Sequence, residues 1–152
     1  MTERTDIPQT VRLLIEQFSD KDETVSTLLK AHLFTEHLID QILGQHLDGK
    51  RDKVYRLKLG YAKKLSLLES FDLVPDEIHA SLTKLNQLRN HCVHTLNAKP
   101  SPAEIQPIFD DLPSLAMPNA REVGNTKYML NRYMAFMCGY LPTPTNDVPN
   151  VA

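Results

Sequence analysis

Apolar residues in the first hundred positions recur at spacings of three and four, the period of a helix, and no alternating run long enough for a strand occurs. The pattern predicts helices over 8–18, 22–47, 53–69 and 75–96. Asp6 and Pro8 suit the start of the first, and Gly49 ends the second. The third sets Val54, Leu57, Tyr61, Leu65 and Leu68 on one stripe. Pro75, Asp76 and Glu77 open the fourth, because proline and acids fit a first turn, and Asn97 with Pro100 stop it. Five of the ten prolines then fall between Pro100 and Pro118. Ser101-Pro102-Ala103-Glu104 reads as a capping box whose helix Pro107 limits to a turn or two. A last helix, 120–141, carries Val123, Leu130, Met134, Met137 and Leu141 on one side, with methionine as a core gap-filler. The expectation is an all-α, antiparallel bundle of about five helices in one domain, 1–141, followed by a flexible tail over 142–152.

Projection at about 100° per residue places Val25, Leu29, Ile39, Leu43 and Leu47 of the second helix on one face. Glu36 lies near the centre of that face, with His32 one turn before it. The fourth helix groups Ile78, Leu82, Leu85, Leu88, Cys92, Val93 and Leu96 around Arg89. A lone buried charge is too costly to tolerate, so Glu36 and Arg89 are expected to meet, as a structural ion pair or as part of a site, unless the helical register differs and leaves both exposed. A second strip of the long helix, Ala31, Phe34, Leu38 and Ile42, is covered by the domain itself or by another subunit.

The composition, 41% apolar and 24% charged over 152 residues, excludes collagen-like, disordered and disulfide-scaffold classes. A formal charge of −2 removes the strongly basic signature of many nucleic-acid binders. Lys50, Arg51, Lys53, Arg56, Lys58, Lys63 and Lys64 nevertheless form a local cluster, which fits an RNA backbone or simply a solvated face. Cys92 and Cys138 lack metal-type spacing, and the opening MTERTDIPQT has no apolar signal run, so a cytoplasmic location is expected. No apolar run nears the 18 or so residues of a membrane span, so no membrane partner is expected.

Near the end of the fourth helix, Arg89 and Asn90 precede His94 in the pattern R-N-x-x-x-H. Asn90 and His94 share a face, whereas Arg89 stands about 140° from His94 on an ideal helix. A two-fold dimer packing this helix against its copy would gather both sets into one cleft. An imidazole moves protons near neutral pH, a guanidinium grips a phosphate at two points, and an amide orients either. In isolation such residues also serve simply as helix caps. Zinc ligation by His91, Cys92 and His94 is disfavoured, because neighbouring positions point to different sides of a helix. A nucleophilic Cys92 is disfavoured too, since it projects onto the apolar face.

The long helix with its internal glutamate (LLKAHLFTEHLIDQIL), the basic helix (RLKLGYAKKLSLL) and LTKLNQLRNHCVH together resemble the HEPN superfamily, the higher eukaryotes and prokaryotes nucleotide-binding proteins, over about 22–97. The interior His91-Cys92-Val93 departs from the aromatic-alanine pattern frequent in close relatives. The stretch after Pro100 has no assignable counterpart. The resemblance implies a dimerising all-α bundle. Many such proteins are metal-independent ribonucleases of toxin-antitoxin or phage-defence systems, and others are non-catalytic partners or regulators, including a mannitol-operon repressor group. It implies catalytic roles for Arg89, Asn90 and His94, with Glu36 as the acidic residue of the preceding helix. Lys50, Arg51, Lys53, Arg56, Lys63 and Lys64 would contact RNA, no metal or other cofactor would be needed, and an antitoxin or regulatory protein would be the partner. The alternative is a non-catalytic interaction module acting through other proteins.

Overall fold

A computed structural model describes residues 23–48, 50, 53, 57–95 and 99–141. The expected helix over 8–18 and the tail over 142–152 lie outside these residues. Among the described residues the chain forms five α-helices and no strand: α1 (Glu23–His46), α2 (Tyr61–Ser70), α3 (Asp76–His94), α4 (Pro102–Phe109) and α5 (Thr126–Tyr140). A single 3₁₀ turn, Ser114–Ala116, lies between the last two.

The helix starts follow local chemistry. Pro75, extended at ψ 151°, caps α3, and Asp76 and Glu77 occupy its first turn, where the helix dipole favours anions. Ser101 accepts a hydrogen bond from the Glu104 amide while the Glu104 carboxylate accepts from the Ser101 amide, which completes the expected box at α4. Two starts differ from expectation. Lys58 adopts a left-handed φ of 49°, which a helix cannot pass through, so α2 begins only at Tyr61. Leu57 consequently lies 65% exposed instead of joining the stripe of Tyr61, Leu65 and Leu68, which is buried as expected. Likewise Gly124, at φ 88°, ends a turn before α5, and Asn125 caps the helix at the Tyr128 amide. Val123 therefore stays outside the helix and exposed.

Helix α1 is the centre of the domain, packed against α2, α3 and α5. The chain itself encloses the first apolar strip and covers the second in part. Val25, Leu29, Ile39 and Leu43 are buried on one, and Ala31 and Ile42 on the other, with Phe34 and Leu38 half-buried. The contacts Thr35 with Tyr61, Asp40 with Lys64 and His46 with Phe71 ascend together, so α1 and α2 run in the same direction. A tight turn over 71–75 then sends α3 back along α2, where His79 Nε2 donates to the Leu65 carbonyl at 3.0 Å. On the far side of α3, Ser81 Oγ donates to the Ile108 carbonyl (2.6 Å) and lies 3.0 Å from Tyr133 Oη. That buried node ties α3, α4 and α5 together beside the edge-on rings of Phe109 and Tyr133.

Candidate functional site at the α1, α2 and α3 junction

Three helices each bring polar side chains to one place. His32, Thr35 and Glu36 stand at i, i+3 and i+4 on α1, and Asn86, Arg89 and Asn90 repeat that spacing on α3. Tyr61 and Lys64 face them from the first turn of α2. His32 is only 5% exposed, its ring stacked on Tyr61 with centroids 4.1 Å apart. Its Nε2 lies 2.9 Å from Asn86 Oδ1. Because an amide oxygen only accepts, Nε2 carries the proton and donates. The Thr35 hydroxyl donates to the His32 carbonyl at 2.9 Å, which leaves its oxygen to accept from the Tyr61 hydroxyl at 2.7 Å.

Burial is the largest influence on the protonation of His32 and Tyr61. It lowers the His32 pKa from 6.5 to about 4 against the opposing effect of the hydrogen bond that His32 donates to Asn86, with the Arg89 charge lowering it further and the Glu36 charge raising it. The imidazole is neutral at pH 7. Burial likewise raises the Tyr61 phenol well above its ordinary value, so it remains a hydroxyl.

The expected contact between Glu36 and Arg89 is replaced by two separate arrangements. Glu36 takes Lys64 as its ion partner at 3.0 Å, and the same ammonium reaches Asp40 at 2.9 Å, so one cation joins two carboxylates of α1 to α2. Burial opposes the Lys64 charge, but its bonds to Asp40 and Glu36 outweigh that and its pKa is raised. Arg89 instead donates from Nη1 to Asn90 Oδ1 at 3.0 Å. Its Nε is buried and has no hydrogen-bond partner among the described residues. An unmet buried donor costs about 1–3 kcal/mol, which a native fold tolerates mainly where the group serves another purpose.

The Arg89 to Asn90 bond links two members of the motif. It joins the guanidinium to the side chain of Asn90, which projects about 40° from His94 on the helix. His94 is the last residue of α3 and is exposed, as is His91, whereas Cys92 is buried on the opposite side. Among the described residues no group of three His, Cys, Asp or Glu side chains could hold a metal.

Of the basic cluster, Lys50, Lys53, Lys58 and Lys63 are exposed, while Lys64 is committed to Glu36 and Asp40. Arg51 and Arg56 lie outside the described residues. Tyr61, read from sequence as a core position, and Asn86, not singled out, both belong to the site. Asn86 carried a signal, standing one turn before both Arg89 and Asn90. No described helix is long and apolar enough to cross a membrane. No family model matches the chain, and no curated protein or solved structure matches it.

Proposed function

We propose that the chain is a HEPN-like, metal-independent endoribonuclease of the toxin or phage-defence type, acting in the cytoplasm as a homodimer. The observation that carries this reading is the state of Arg89, whose guanidinium is engaged by Asn90, four residues before His94 on the same helix, and by no carboxylate among the described residues. A half-buried guanidinium without a carboxylate partner suits a phosphate oxygen. Exposed His94, at the end of the same helix, offers its imidazole for proton transfer to a bound substrate.

In the proposed reaction the 2′-oxygen of RNA attacks the adjacent phosphorus and the bond to the 5′-oxygen breaks. The products are a 2′,3′-cyclic phosphate and a free 5′-hydroxyl. Two copies of α3 across a two-fold axis would supply two imidazoles, one taking the 2′-hydroxyl proton and the other protonating the leaving oxygen. Arg89 stabilises the charge that develops on the phosphate oxygens, and Asn90 orients the guanidinium. Glu36, held by Lys64, acts as a fixed charge at the rim of the cluster rather than as a proton carrier. Lys50, Lys53 and Lys63 would guide the backbone, and a partner protein would act as antitoxin.

The purified chain should cut RNA in excess chelator, and His94→Ala should abolish cutting without changing the helical circular dichroism. Folded wild-type protein that cuts no RNA and does not arrest growth on induction would replace this reading with the non-catalytic interaction module.

A further inference from the structure

Asn86, Asn90 and His94 follow one another at intervals of four residues on α3 and so share one face of it. The two asparagines are held in the same way. Asn86 Oδ1 accepts from His32 Nε2 at 2.9 Å, and Asn90 Oδ1 accepts from Arg89 Nη1 at 3.0 Å. With the oxygen of each amide engaged, its nitrogen is the branch left to offer two N–H donors. Among the described residues, Arg89 Nε is the buried side-chain atom that lacks a partner. The Nδ2 atoms of Asn86 and Asn90 make no hydrogen bond with those residues and are not buried in that sense, so both reach solvent from half-buried side chains.

We propose that Asn86 is a further RNA-contacting residue, whose outward amide donates to a backbone oxygen of the strand beside the phosphate that Arg89 holds. The inference rests on the reading of α3 as an RNA-cleaving strip and lengthens that strip by one turn, about 6 Å, toward the middle of the helix. The two asparagine side chains, about 5–6 Å apart at Cβ, form a row of donors that leads to His94. Nothing on the helix competes for them, because α3 carries no acidic residue after Asp76 and Glu77 in its first turn. The nearest carboxylates of α1, Glu36 and Asp40, are committed to Lys64. A row of donors without acids suits a chain rich in oxygen acceptors, as an RNA backbone is. His32, stacked on Tyr61 and buried, anchors the Asn86 oxygen from the side of the core, which leaves the amide little freedom to turn.

The test is titration of the full chain with a short single-stranded RNA carrying 2′-O-methyl riboses, which is bound but not cut on this reading. Binding is read by fluorescence anisotropy of the labelled RNA and by the asparagine side-chain NH₂ resonances in ¹⁵N–¹H spectra, with Asn86→Asp identifying the Asn86 pair. In wild type that pair should shift as RNA binds. Asn86→Asp is of equal size and still accepts from His32, but it replaces the outward donor by an acceptor oxygen. It should weaken RNA binding by roughly tenfold or more, the scale of one hydrogen bond to a charged oxygen, with the helical circular dichroism unchanged. If wild type binds the RNA while the Asn86 resonances stay still, or if folded Asn86→Asp binds as tightly as wild type, the contact is overturned and the reading of Arg89 and His94 stands. If wild type binds no RNA, that reading falls, and this inference with it.

Discussion

Acidification from pH 7.5 to pH 5 should remove about 2 kcal/mol of folding stability through His32 alone. The ring is 5% exposed and its pKa is depressed from 6.5 to about 4, chiefly by burial. A group with a depressed basic pKa binds its proton more readily in the unfolded chain. Its contribution is therefore complete above pH 6.5, declines as the pH falls, and is exhausted below about 4. The whole shift corresponds to roughly 3 kcal/mol, of which about 2 kcal/mol is lost by pH 5. The chain contains no tryptophan, so urea unfolding is best followed by helical circular dichroism at each pH. His32→Gln lacks the titrating group and should lose far less over the same interval, even though it starts from lower stability without the ring stacked on Tyr61. Equal pH dependence in the two proteins would refute the burial argument, as would a wild type equally stable at both pH values.

Three further outcomes follow from the packing. Ile42→Asp places a charge among core side chains and should cost more than about 4 kcal/mol, visible as a large, concentration-independent fall in thermal midpoint; a shift only in dimer dissociation would mean that this strip is an interface instead. Ser101→Ala removes the side-chain half of the capping box on α4 and should cost about 1 kcal/mol in urea unfolding, with little change in the slope. Tyr133→Phe deletes the hydroxyl beside Ser81 and should cost about 1 kcal/mol, measured the same way; a neutral effect would show that the node joining α3, α4 and α5 contributes little.

The helices were legible because their signals are local. Periodicity marked both apolar strips of α1, and Ser101 with Glu104 marked the start of α4. The break before Tyr61 was not legible, because Leu57 continues the apolar stripe in sequence and only the left-handed turn at Lys58 removes it from the helix. The candidate site shows the same division. Glu36 and Arg89 stood out as charges on apolar faces, but a helical wheel does not reveal which side chain of a third helix reaches them. Lys64 looked like one more member of a basic run, yet its position on the first turn of α2 places it between Glu36 and Asp40. His32 sat on the core face of α1, and its partners Asn86 and Tyr61 became evident only with the helices packed.

The central claim, that the Arg89, Asn90 and His94 strip serves phosphate transfer without metal, is tested most directly by the products of cleavage. Wild-type protein in excess chelator should convert RNA into fragments ending in 2′,3′-cyclic phosphate. It should leave the same sequence with 2′-O-methyl riboses intact, and Arg89→Lys and His94→Ala should each lose at least a hundredfold in rate. Cleavage of the methylated strand, or full activity in either folded variant, would contradict the account.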